Sequence, residues 1–148
     1  MNNYSATYLV DQSPTEICNA IINVRNWWSG LYGEEIEGSS EMPDDEFTFR
    51  AGGGAHYSKQ KLVELIPGKK IVWLVTESKL SFIEKKDEWV GTKLCFEFSP
   101  QGKKTEVRFT HIGLVPAIEC YGDCSGAWGN YLEKFLFPLG KKNTTEIA

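Results

Sequence analysis

Apolar and polar positions along this chain repeat with two different periods, and the switches between them set out its elements. Residues 4–10, Tyr-Ser-Ala-Thr-Tyr-Leu-Val, are β-branched and aromatic and predict a first strand. Ser13-Pro14-Thr15-Glu16 then spells a helix start, with Ser13 as N-cap, Pro14 in the first helical position and Glu16 closing a capping box. Ile17, Ala20 and Ile21 form the apolar stripe of that short helix. Asn26-Trp27-Trp28-Ser29-Gly30 predicts a second one, ending at Gly30 or Gly33.

From residue 34 to 112 the period is two. Phe47, Phe49 and Ala51 alternate with polar residues, and Gly52-Gly53-Gly54 breaks the run as a flexible hairpin turn. A strand over 56–66 stops at Pro67-Gly68, where proline presets φ and glycine supplies a positive φ. Residues 71–83 predict the next strand; Leu94, Phe96 and Phe98 mark another, ending at Ser99-Pro100-Gln101-Gly102. Val107, Phe109 and His111 share one face of the last strand, with Glu106, Arg108 and Thr110 on the other. One apolar face at period two means an antiparallel sheet covered on one side.

The period then lengthens. Cys124, Trp128, Tyr131 and Phe135 recur at three-to-four spacing, with Leu132 and Leu136 beside them, predicting a helix of 119–137 that stops near Pro138 and Gly140. Gly122, Ser125, Gly126, Ala127 and Gly129 lower its propensity and permit close packing. Strand, two short helices, roughly five or six hairpin strands and a long final helix define an α+β domain. In it a curved antiparallel sheet wraps around the C-terminal helix. One helix cannot cover a broad curved sheet completely, so an internal hydrophobic cavity is the geometric expectation.

Composition narrows the function classes. At 148 residues the chain fits one domain over 1–148, and 41% hydrophobic with 24% charged residues is ordinary globular usage. A net charge of −4, with lysines in scattered pairs, gives no electrostatic footprint for nucleic acid. No apolar run reaches the roughly 18 residues of a membrane span, and Met1-Asn2-Asn3-Tyr4 lacks a basic-then-apolar leader, so the expected location is the cytoplasm. Cys18, Cys95, Cys120 and Cys124 form no compact disulfide framework and read as reduced thiols. Aromatic residues, at 13%, are abundant; such rings fill a wide core and also line apolar pockets.

Several motifs resemble the START-like superfamily (SRPBCC, birch-pollen-allergen-like or helix-grip domains), and within it the activator of heat-shock-protein-90 ATPase homologue (AHSA-type) family. They are Val10-x-x-Ser13-Pro14-x-Glu16-Ile17, and Val63-Glu64-Leu65-x-Pro67-Gly68-Lys69-Lys70-Ile71-Val72. The strongest pairs Gly91-Thr92-Lys93-x-x-Phe96-Glu97-Phe98-x-Pro100 with Thr105-x-Val107-x-Phe109-Thr110-His111-x-Gly113-Leu114. Gly126-x-Trp128-x-x-Tyr131-Leu132 closes the series. The resemblance implies a helix-grip fold with a pocket between sheet and long helix, and relatives that bind lipids, sterols or polyketides. The family's name-giving members activate a chaperone ATPase, which makes a chaperone a further candidate partner.

Candidate chemistry is sparse. Histidine titrates near neutral pH and His111 lies on the inward parity, but in the AHSA-type pattern that the chain resembles Thr-His-x-Gly is a strand-end packing motif. His56 follows three glycines and is expected to be exposed, without a role. Cys120 and Cys124 share a helical face, yet neither histidine stands at zinc spacing, so no metal or cofactor is expected and the thiols read as apolar fillers. The carboxylates of 34–46 read as a solvated acidic loop. The predicted reading is a binding module for a small, mostly apolar molecule. Its candidate walls are Trp27, Trp28, Phe49, Trp73, Phe96, Phe109, His111, Trp128, Tyr131 and Phe135. Alternatives are rings that only fill the core, an acid–base enzyme using the same pocket (of the cyclase or hydrolase type that the resemblance implies), and a protein-interaction domain. The oligomeric expectation is a monomer or homodimer.

Overall fold

The computed structural model describes residues 3–81, 83–84, 86–115 and 121–147. Its strands are β1 (Tyr4–Val10), β2 (Glu35–Gly38), β3 (Glu46–Ala51), β4 (His56–Ile66), β5 (Lys70–Leu80), β6 (Lys93–Gln101) and β7 (Lys104–Ile112). Helix α1 (Pro14–Ile22) follows β1, and α2 (Tyr121–Ile147) ends the chain. The strands form one curved antiparallel sheet in the order β1-β7-β6-β5-β4-β3-β2, so the first strand closes against the last and all other neighbours are hairpins. This is the α+β helix-grip architecture.

Local signals explain most boundaries. Ser13 Oγ accepts from the Glu16 amide at 3.2 Å and Glu16 Oε1 accepts from the Ser13 amide at 2.9 Å, completing the capping box that opens α1. Gly68 takes φ +74° between β4 and β5, as a Pro-Gly turn requires. The apolar parity also holds: Phe47 and Phe49, Leu94 and Phe96, and Val107, Phe109 and His111 are all buried beneath the sheet.

Four boundaries differ from the sequence expectation. The second short helix is a single 3₁₀ turn, Val24–Asn26, because Trp27 and Trp28 both turn inward and lie parallel, 5.6 Å apart. Adjacent helical positions would splay those rings. Gly52–Gly54 is also a 3₁₀ turn, with φ positive at all three glycines. β5 ends at Leu80, and a run of turn residues over 86–91 tucks Trp89 inward. Finally, α2 passes through Pro138 instead of stopping there. Proline removes one helical hydrogen bond, but the helix beyond it lies on β1, where a Cβ on Gly140 would collide with the Leu9 carbonyl. Cys120 lies outside the described residues.

Two register shifts in the β4–β5 hairpin, between Lys59 and Gln60 and between Leu62 and Glu64, isolate a short regular segment. Within it Gln60 opposes Val75 and Leu62 opposes Trp73.

Candidate functional site

Space between sheet and α2 is filled mostly by aromatic rings. Trp27 packs edge-on to Phe96 at 5.2 Å and lies 6.3 Å from Trp73, while Phe96 lies 4.9 Å from Phe109. Trp128, entering from α2, touches Trp28, Trp89 and Phe109 at 5.0, 5.9 and 4.7 Å. Such ring pairs add stabilisation beyond the area they bury.

His111 is fully buried inside this cluster and both its nitrogens are engaged. Trp128 Nε1–H donates to His111 Nδ1 at 3.0 Å, which places the imidazole proton on Nε2. Nε2 then donates to Thr92 Oγ1 at 2.8 Å, and Thr92 donates to the Trp89 carbonyl at 2.6 Å. The relay runs in one direction from helix to loop. Burial, reinforced by the neighbouring His56, pushes the His111 pKa down to about 3. A neutral imidazole whose lone pair is already occupied is a structural group. Gly113, at φ +104°, lets Thr92 approach; a Cβ there would press on the Thr92 methyl at 2.7 Å.

Empty space remains at one end of the cluster, where β3, the glycine turn, the start of β4, the Trp89 loop and the first turns of α2 meet. The pocket measures about 390 Å³. Trp28, Phe49, Trp128 and Tyr131 supply its aromatic walls, and Tyr32, His56 and Trp89 complete them. Trp28 stacks on Phe49 at 3.9 Å, forming a flat floor. His56 is half-buried rather than exposed: β4 begins at this residue on the inward parity, and its ring meets Phe49 at 5.2 Å and Trp89 at 4.6 Å. Burial lowers its pKa to about 4, so it too is neutral near pH 7. Trp89 is thus flanked by two uncharged imidazoles, His111 also lying 4.6 Å away.

The segment between the 3₁₀ turn and β2 straps across the pocket to α2. Glu34 accepts a short hydrogen bond from Tyr131 Oη, and also bonds from the Leu31 amide at 3.2 Å and the Tyr32 amide at 2.9 Å. Asn130 Nδ2 donates to Tyr32 Oη at 2.8 Å, and the Gly52 amide donates to the Tyr32 carbonyl at 2.8 Å. Burial pushes the Glu34 pKa up, but the Tyr131 and backbone bonds outweigh it and hold the group below its usual value. Burial and that carboxylate push the Tyr131 phenol well above its usual range. Glu34 is therefore a latch, not a member of a solvated acidic loop.

Of the ten residues singled out in the sequence, Trp28, Phe49, Trp128 and Tyr131 border the pocket. Trp27, Trp73, Phe96, Phe109 and His111 lie in the packed cluster behind it, and half-buried Phe135 packs on the same core. Sequence reasoning missed Glu34, because only the folded strap brings it to Tyr131. It also missed His56 at the pocket, although the alternation from Leu62 back through Gln60 and Ser58 carries that parity. Among the described residues no three His, Cys, Asp or Glu side chains gather as metal ligands, and no helix is long and apolar enough to cross a membrane.

A curved sheet gripping a C-terminal helix, with an aromatic pocket at one end, defines a helix-grip domain of the START-like class. Residues 23–136 match the family model described as "Activator of Hsp90 ATPase homolog 1-like protein", and the chain belongs to that family. Among solved structures it is similar to the Aha1 dimer of Colwellia psychrerythraea, with 24% identity, 94% of this chain and 96% of that one covered, and a TM-score of 0.72. A protein of Nitrosospira multiformis shares 12% identity over 97% of this chain and 99% of its own, with a TM-score of 0.71. One from Chromobacterium violaceum shares 15% identity over 94% and 98%, with a TM-score of 0.66. At these identities the likeness shows the fold alone. No curated protein matches the chain.

Proposed function

We propose that this domain is a binding module that takes up a small, uncharged, mostly apolar molecule with a flat ring system, held against Trp28, Phe49, Trp89, Trp128 and Tyr131. The observation that carries this reading is the pocket: about 390 Å³ of space walled by aromatic faces. That size falls in the roughly 300–1,000 Å³ range of small-molecule sites. Neither Lys nor Arg is among the lining residues and His56 is uncharged, so an anionic guest would have no cationic partner there; Asp123, exposed at the rim, is acidic. Tyr32 and Glu34 close the entrance and Tyr131 orients a polar edge of the guest. Turnover is not part of the reading, because the lone pair of His111 is taken by Trp128.

Native mass spectrometry of protein purified from its own host, followed by denaturing extraction, tests the proposal. A stoichiometric low-polarity adduct, lost on filling the pocket with Ala127→Leu while the melting temperature holds, is the expected result. An apo mass for both proteins, with no thermal shift across a library of neutral aromatic compounds, would overturn it.

The family's name and the Colwellia dimer favour a second reading, a chaperone-linked domain that acts as a homodimer. Sedimentation of the protein alone, and its effect on the ATPase rate of an Hsp90-type chaperone, separate this reading from the first.

A further inference from the structure

Beneath the sheet, β4 differs from its neighbours. Its successive inward positions His56, Ser58 and Gln60 are polar before Leu62 restores the apolar face. His56 Nε2 and Ser58 Oγ satisfy one another at 3.1 Å. Gln60 is 0% exposed, and among the described residues neither its Oε1 nor its Nε2 has a hydrogen-bond partner. The same holds for Nε1 of Trp73, also 0% exposed. Buried polar atoms are nearly always paired, and three unpaired ones in one region call for a common partner.

The register places the two side chains together. Gln60 opposes Phe47 on β3 and Val75 on β5, while Trp73 stands two residues from Val75 on the same inward face. The Trp73 ring meets Phe47 edge-on at 6.2 Å. Diagonal neighbours of this kind lie about 7–8 Å apart at Cα, a span that one atom closes with two hydrogen bonds. Trp73 Nε1–H can only donate. Nε2–H and Oε1 of Gln60 offer a donor and an acceptor along one edge of the amide. A single oxygen that accepts twice and donates once satisfies all three. A carbonyl would leave Oε1 unmet, and a carboxylate would bring a charge among neutral rings.

We propose that Gln60 and Trp73 form a hydroxyl-binding site beneath the sheet, taking either an internal water or the hydroxyl of an alcohol or phenol that enters through the pocket. The Trp28–Phe49 stack separates this site from the pocket, and Trp28 also meets Phe47, 6.0 Å away. A guest therefore reaches it only when Trp28 swings aside, whereas a water reaches it without a guest. The site is defined without the pocket; only its guest-borne form rests on the function proposed above.

Solution NMR on the isotope-labelled full chain tests this, with 2-naphthol as the phenol and 2-methoxynaphthalene as a probe that accepts but cannot donate. In the free protein the Trp73 indole proton and the Gln60 side-chain amide are expected to show cross-peaks to a long-lived water. If 2-naphthol, and not the methyl ether, replaces these with cross-peaks to itself, the guest's hydroxyl is the occupant; if they persist, water is. Pocket signals from Trp89 that ignore both probes would count against the binding module and leave the water site standing. Gln60→Met supplies the second arm. It removes the amide at similar volume, so loss of the Trp73 water contact and a melting temperature lowered by several degrees are expected. No water or naphthol contact at Trp73, or a Gln60→Met protein that melts higher than the parent, would overturn the proposal, since an unpartnered amide is improved by an apolar isostere.

Discussion

His111 and His56 hold their imidazoles neutral in the folded chain, with pKa values of about 3 and about 4 against an ordinary 6.5. The unfolded chain takes up two protons as pH falls through 6.5 that the folded chain refuses. Their contribution to stability is complete above about pH 6.5 and is lost as pH drops toward 4, His111 continuing to about 3. With both groups acting, the loss between pH 7 and 5 amounts to about 3–4 kcal/mol. Urea midpoints at those two pH values check it, and a flat profile would refute the assignment. Carboxylates such as Glu34, whose pKa lies below 4.5, act only in stronger acid. Trp128→Phe keeps a ring in the cluster but strips the donor from His111 Nδ1. It is expected to destabilise the protein by about 1–3 kcal/mol and to raise the His111 pKa, read from the imidazole proton shifts.

At the scale of elements, the strap between the 3₁₀ turn and β2 combines polar contacts with one ring contact. Tyr32 is exposed, and it meets α2 through the bond from Asn130 and edge-on against the Tyr131 ring at 5.7 Å, to which Glu34 adds its bond with Tyr131. Glu34→Gln removes the charge while keeping one acceptor. The expected loss of global stability is on the order of 1 kcal/mol, less than for a fully buried charged bond because the latch is half-exposed. The local effect is larger: the Leu31 and Tyr32 amides exchange hydrogen faster and, on the proposed binding function, a guest leaves sooner. Unchanged exchange at those two amides would show that packing alone holds the strap.

Across the whole molecule, the fold could be read from the chain because its signals are local. The capping box at Ser13, the Pro67-Gly68 turn and the inward parity of Phe47, Phe96 and Phe109 each sit within a few residues of what they specify. The site was less legible, because it depends on contacts between distant residues. Glu34 and Tyr131 lie 97 residues apart, and nothing near either announces the other. The tandem Trp27-Trp28 reads as helix in isolation and becomes a stacked pair only once Phe49, Phe96 and Trp128 surround it. Trp89 had no periodic neighbours to place it, being carried inward by a run of turns.

All five tryptophans of the chain, Trp27, Trp28, Trp73, Trp89 and Trp128, belong to one ring network in which each lies within 6.3 Å of another. Indoles at these separations pass excitation energy between themselves faster than they emit. The protein's intrinsic light is thus expected to be a collective property, and a blue-shifted one, because each of these rings is almost fully buried. A quencher seated against Trp28, Trp89 and Trp128 would darken the whole ensemble, including Trp73, which the pocket does not touch. The domain carries its own optical reporter, and one emission spectrum, recorded as a guest is added, reads the filling of the pocket without any label.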